Sequence, residues 1–167
     1  MGTVKQVYER YRKAYETLPD AISTTVQQTS TVLMDLNRDQ LLQGRDAEGN
    51  LLSPNYMDDP YFKTREAAGN YSKMKYKKEV EHRNRIAYIE LFGEKPTDVP
   101  NLLVTGNWFF NHFFIKVTKD AYEIGSTGIA ATDIERKYPK VYGLAPLSKE
   151  FYYFQYIRPT IKRIYGK

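Results

Sequence analysis

The sequence has no cysteine, which excludes a disulfide framework, a thiolate nucleophile and any zinc site built on thiolates. Histidine is scarce: His82 sits in the basic run Glu81-His82-Arg83 and His112 in an aromatic run, with no ligand spacing between them. Long apolar runs are missing too. The longest, Trp108 to Ile115, is broken by Asn111 and His112, and spanning a bilayer takes about 18 apolar residues. No apolar stretch follows Met1-Gly2-Thr3-Val4, which predicts no signal peptide. Gln6 stands where a myristoylation signal wants Ser or Thr. The chain is therefore expected to have no membrane partner.

The usual catalytic and phosphate-binding signatures are also absent. There is no Gly-x-x-x-x-Gly-Lys-Ser/Thr and no Gly-x-Ser-x-Gly. Gly125-Ser126-Thr127-Gly128 reads as a strand-to-helix turn. Asp46-Ala47-Glu48-Gly49-Asn50 lacks the alternating Asp pattern and closing Glu of a calcium loop. Asp58-Asp59 and Glu79 with Glu81 read as surface charge. No residue is assigned to catalysis, to a cofactor or to a metal, and the expectation is a protein that is not an enzyme.

What is abundant is tyrosine. Fifteen tyrosines accompany eight phenylalanines and one tryptophan in 167 residues. Tyrosine offers a large apolar ring with a polar tip and few rotamers, which suits protein interfaces as well as cores. The net charge of +5 permits contact with nucleic acid or an acidic protein surface without requiring either. One domain over 1–167 is expected at this length.

Val4, Val7, Tyr8, Tyr11, Tyr15 and Leu18 recur at helical spacing and predict a helix over Thr3 to Leu18, broken at Pro19. A second helix is expected from Asp20 to Gln43, with Asp20 as its cap and a Thr/Ser-rich middle. Gly44 to Asn50 is a turn, Leu51-Leu52 a short strand, and Ser53 to Pro60 a loop. Tyr61 to Lys95 is charged and aromatic. Between Tyr61 and Arg85 eight Lys and Arg face three Glu, so this stretch carries about the whole net charge. It is expected to be helical or extended, with a helix near Ala87 to Phe92. After a turn at Pro96–Pro100, Trp108 to Thr118 gives the strongest strand signal, with Trp108, Phe110, Phe113 and Ile115 as packing residues. Lys119-Asp120 would turn it into a returning strand, Ala121 to Ser126. Helices are expected from Thr127 to Tyr138, capped by Ser126 or Thr127, and from Ser148 onward, interrupted at Pro159.

These elements predict an α+β fold: long N-terminal helices (about 3–43), a basic loop and helix insert (about 56–100), then a central antiparallel hairpin and C-terminal helices (about 101–167).

The order of several short motifs resembles the virion-morphogenesis proteins of tailed bacteriophages, the head–tail connector and tail-completion proteins. Gln40 to Pro54 holds a helix end, Gly44-x-Asp46-x-x-Gly49, then Leu51-Leu52 and a loop. Leu102-Leu103-Val104-Thr105-Gly106-Asn107-Trp108 is similar to their entry into a hairpin. Ile124-Gly125-Ser126, Tyr142-Gly143-Leu144 and Arg158-Pro159 follow in the family's order. The segment from Tyr56 to Pro100 is longer and more basic than that pattern. The resemblance implies a small structural subunit without a cofactor, present in the virion after assembly in the host cytoplasm. It would form a homo-oligomeric ring in the neck or at the tail end, beside portal, connector or tail proteins, with its basic residues facing either genomic DNA in a channel or an acidic neighbouring ring.

Two functional readings follow from the sequence. One is assembly through protein surfaces, with Tyr71, Tyr76, Lys77, Tyr152, Tyr153 and Arg158 as candidate partner contacts. The other is nucleic-acid binding through the basic 61–85 segment and the basic C-terminus, Arg158, Lys162, Arg163 and Lys167.

Overall fold

A computed structural model of the chain describes residues 3–83, 89–102, 109–118 and 121–166. The architecture is α+β. Two N-terminal helices, α1 (Val4–Gln28) and α2 (Ser30–Leu42), are followed by a loop and by α3 (Arg65–Arg83). A 3-10 turn, Phe110–His112, leads into β1 (Phe113–Val117), which pairs antiparallel with β2 (Tyr122–Ser126). Then come α4 (Ala131–Lys137), α5 (Pro146–Tyr152), a π-helical turn (Tyr153–Ile157) and α6 (Arg158–Tyr165).

Thr3 starts α1 with a capping box. Its hydroxyl accepts the Gln6 N–H at 3.3 Å, and its own N–H donates to Gln6 Oε1 at 2.8 Å. The helix does not stop at Pro19, as expected, but runs through it to Gln28. Proline removes the N–H that would meet the Tyr15 carbonyl, and Tyr15 lies on the exposed half of the helix where water serves instead. The break falls at Thr29, where φ is −111° and ψ 20°. There the hydroxyls compete with the backbone: Thr25 Oγ1 donates to the Ala21 carbonyl and Thr29 Oγ1 to the Thr25 carbonyl. Thr29 Oγ1 also meets the Tyr152 hydroxyl at 2.6 Å. Asp20 is thus a mid-helix residue and not a cap.

The core gathers on α2. Leu33, Leu36, Leu41 and Leu42 pack with Phe109, Phe113, Ile124, Val141, Leu144 and Tyr152. The same helix buries polar side chains that hold the loops around it. Gln40 donates to the Gly143 and Asp46 carbonyls and accepts from the Ala145 N–H and the Ser148 hydroxyl. Asn37 donates to the carbonyls of Val141 and Gly143. Gln43 accepts the Phe92 N–H and donates to the Ile89 carbonyl, while Asp39 accepts the Ile89 N–H at 2.7 Å. Burial raises the Asp39 carboxyl to about 6, partly opposed by that hydrogen bond.

A Schellman motif ends α2. The Arg45 N–H returns to the Gln40 carbonyl and the Gly44 N–H to that of Leu41. Gly44 sits at φ +67°, and a Cβ there would stand 2.6 Å from Val99 Cγ1, so no other residue fits. Asp46 Oδ1 then accepts the N–H groups of Glu48 and Asn50 and closes the turn. Leu51 makes only an isolated bridge to Arg45.

Other expectations are corrected downstream. The strand starts at Phe113, and His112 belongs to the 3-10 turn. Phe113 is buried and Ile115 packs against the core; Trp108, the Phe110 side chain and the Lys119-Asp120 turn fall outside the described residues. Residues 89–92 are not helical, and Ala87 and Tyr88 are not described. Neither Ser126 nor Thr127 caps α4, which starts at Ala131; Ser126 instead donates to the Phe109 carbonyl and accepts the Gly128 N–H. Ser148 lies inside α5, bonded to Gln40. Pro159 is in the first turn of α6, directly after the π-helical turn, and the helical run continues through it.

Candidate functional site

Three features stand out from this frame. The first is the N-terminal half of α1. Val4, Val7, Tyr8, Tyr11 and Tyr15 share one face of the helix, and all are exposed, from 47% at Val7 to 87% at Val4. The same stripe continues through Leu18 and Ile22 to Val26, which packs on the core. So α1 carries one apolar stripe, covered at its C-terminal end and bare at its N-terminal end. Among the described residues, the cover near the bare end comes from α6: Tyr165 meets the Tyr11 ring at 6.1 Å, and Arg10 donates to the Tyr165 carbonyl. Farther along, Thr25 and Thr160 join their hydroxyls at 2.8 Å.

The second feature is the outer face of α3. Thr64 accepts the Ala67 N–H at its start, as a cap does. Tyr76 and Val80, one turn apart, lie next to Lys73 and Lys77, and all four are exposed. This is a mixed aromatic and basic surface.

The third is the inner face of α3 and the cavity beside it. Ala68, Ser72, Lys75 and Glu79 recur at helical spacing and are all buried. Ser72 donates to the Thr97 carbonyl at 2.6 Å. Glu79 is 2% exposed and fully engaged: Arg83 reaches one oxygen at 2.7 Å, Lys95 and Asn101 the other at 2.9 and 3.0 Å. Lys75 is different. It is 7% exposed, and its ammonium makes no hydrogen bond or ion pair with any described residue. Desolvation, helped by repulsion from Lys78, lowers its pKa to about 8. Keeping that charge buried costs on the order of 3 kcal/mol.

Lys75 lines a cavity of about 330 Å³. Tyr56, Phe62 and Tyr71 form one wall, their rings 5.1 to 6.5 Å apart. Tyr138, Ile134 and Lys137 of the α4 region form the other, and Leu102 contributes with φ at +51°, a strained conformation for a branched side chain. Lys137 is ion-paired with Asp59, whose Oδ1 also accepts the Tyr61 N–H. Burial pushes the Tyr56 and Tyr138 phenols upward, so both stay protonated donors at neutral pH.

Of the contacts proposed from sequence, Tyr71, Tyr76, Lys77, Tyr153 and Arg158 are exposed, and α3 brings the first three onto one helix. Tyr152 is not a surface residue: it is buried, bonded to Thr29 and stacked on Tyr156 at 5.2 Å. Arg158 lies over the Phe154 ring at 5.3 Å. The bare α1 stripe and the isolation of Lys75 were not anticipated. The first was legible as a stripe but not as uncovered; the second shows only in the Ala68, Ser72, Lys75, Glu79 spacing. Among the described residues no His, Asp and Glu group is arranged to hold a metal, and no helix is long and apolar enough to cross a membrane.

Compared with known proteins, the chain matches no family model, no curated protein and no solved structure.

Proposed function

We propose that this protein acts by assembly, the bare half of the α1 stripe packing against a copy of the chain or a neighbouring subunit. The observation that carries this reading is the row Val4, Val7, Tyr8, Tyr11 and Tyr15, left in water on a 25-residue helix whose remaining stripe is covered. Contiguous apolar surface of this kind marks interfaces in soluble proteins. A ring built by head-to-tail contacts uses two different patches per subunit, and the Tyr76 and Val80 face of α3 supplies a second.

A ring in the neck or at the tail end of a tailed-phage virion is the form of assembly that the sequence resemblance implies. In support, two of the motifs behind that resemblance act as structural joints. Gly44 to Gly49 and Tyr142-Gly143 converge on Gln40, and the Ala47 N–H donates to the Lys140 carbonyl between them. Negative-stain electron microscopy of the purified chain is expected to show closed rings of one diameter. Dispersed single subunits at every concentration would count against the reading.

Nucleic-acid contact is the second reading, favoured by Lys73, Lys77 and Tyr76 on one exposed helix face. It expects DNA affinity to fall steeply with salt, the slope set by the number of phosphates neutralised.

A further inference from the structure

We propose that the cavity between α3, the 56–62 loop and α4 binds a small carboxylic acid with an aromatic or apolar body, its carboxylate on Lys75 Nζ and its body between Tyr56, Phe62, Tyr71 and Tyr138. The inference stands apart from the assembly reading and rests on the cavity alone.

Lys75 is the one buried charge at this cavity with no hydrogen bond or ion pair among the described residues. Every other buried charge in this part of the chain has its partner: Glu79 with Arg83 and Lys95, and Asp59 with Lys137. Glu79 is held by Arg83, Lys95 and Asn101 and makes no hydrogen bond or ion pair with Lys75, which it attracts only from a distance. A buried ammonium that makes no hydrogen bond or ion pair is costly, even with Glu79 attracting it from a distance. At the wall of an open cavity, an anion arriving from outside supplies the contact that this ammonium lacks. The side chain is one that ligands reach, since it forms part of the lining.

The choice of anion follows from the donor set. Phosphate groups are recognised by several cations, by the planar fork of arginine or by convergent backbone N–H groups. Here Lys75 faces tyrosine and phenylalanine rings, while the other charges of the lining are matched, Lys137 with Asp59 and Asp133 with Arg136, which fits a single negative charge on an apolar body. The size, about 330 Å³, is at the small end of ligand pockets. Tyr71 and Tyr61 stand at the rim, and Tyr61 is among the most exposed aromatic residues of the chain, so the body of the ligand enters between rings that are already placed.

The test uses 3-phenylpropionate as probe and its uncharged amide, 3-phenylpropionamide, as control, titrated calorimetrically into the full chain at neutral pH. The acid is expected to bind at a single site with a dissociation constant on the order of 0.1–1 mM, and the amide roughly tenfold to a hundredfold more weakly, the worth of a charge-assisted hydrogen bond. Lys75→Met, which keeps the volume and removes the charge, is expected to leave the fold intact and erase the preference for the acid. Equal binding of acid and amide by the native chain would overturn the proposal, as would the absence of saturable binding at millimolar acid or an unchanged preference in Lys75→Met.

Discussion

Helices α1 and α2 are neighbours in sequence and opposites in how they spend their side chains. Over Ser30–Leu42 and its cap, α2 buries Asn37, Asp39, Gln40 and Gln43, residues that normally face water. Over its first half α1 exposes Val4, Val7 and three tyrosines, residues that normally do not. The difference teaches where the folded chain is complete. Each polar side chain α2 buries has backbone partners in the loops it holds, and only the Asn37 Oδ1 among them is left without one. The apolar residues that α1 exposes have no such compensation within the chain. On the assembly reading proposed above, the first helix is finished by a partner, while the second organises the loops of the chain itself.

The contrast breaks most sharply at Gln40. Replacing it with Ala strands the Ala145 N–H, the Ser148 hydroxyl and the Gly143 and Asp46 carbonyls. A loss of roughly 3–5 kcal/mol is expected from these unpaired groups and the space left behind, measured by urea unfolding. If the loss is no larger than for an exposed glutamine, the polar contacts of α2 do not hold the loops.

At the α1 end, Pro19→Ala restores the N–H that the helix interior lacks. A gain of about 1–2 kcal/mol is expected, the helical benefit less the extra freedom of the unfolded chain. Thermal unfolding with matched helical content checks it.

Asp39 sharpens the comparison through pH. Its carboxyl is raised by burial from 3.8 to about 6. The folded state therefore holds this proton more tightly than the unfolded state. The associated stability is fully present below pH 3.8 and is lost as pH rises through about 6. Asp39→Asn is expected to flatten that decline and to be more stable than the native chain at pH 7 by roughly 1–2 kcal/mol. A native chain whose stability does not fall between pH 4 and pH 6, beyond the change in the variant, would show that burial of Asp39 is not what the geometry implies.

The smallest effect on stability is expected where the effect on assembly is largest. Val7→Gln, Tyr8→Gln and Tyr15→Gln lie on the exposed half of α1, and each should shift unfolding by no more than about 0.5 kcal/mol.

Much of this was readable from the chain. The α1 stripe, the turn at Gly44 to Asn50, the hairpin and the α+β class all follow from spacing and turn chemistry. What could not be read depended on tertiary partners. Pro19 signalled a break that a helix on the surface tolerates, while the break at Thr29 came from hydroxyls that also reach Tyr152. Tyr152 looked like its exposed neighbour Tyr153 because composition does not say which side of a helix is covered. Ser148 looked like a cap until Gln40, 108 residues away, claimed its hydroxyl. Lys75 sat unremarked in a basic run whose other lysines, Lys73, Lys77 and Lys78, are exposed.

Light scattering of the full chain across concentration measures directly whether the bare half of α1 is an interface. The native protein is expected to reach a mass several times 19.5 kDa, and the triple variant Val7→Gln/Tyr8→Gln/Tyr15→Gln to stay at the single-chain mass with its fold intact. A native protein that remains at 19.5 kDa at all concentrations, or a triple variant that assembles as the native chain does, would contradict an interface on α1.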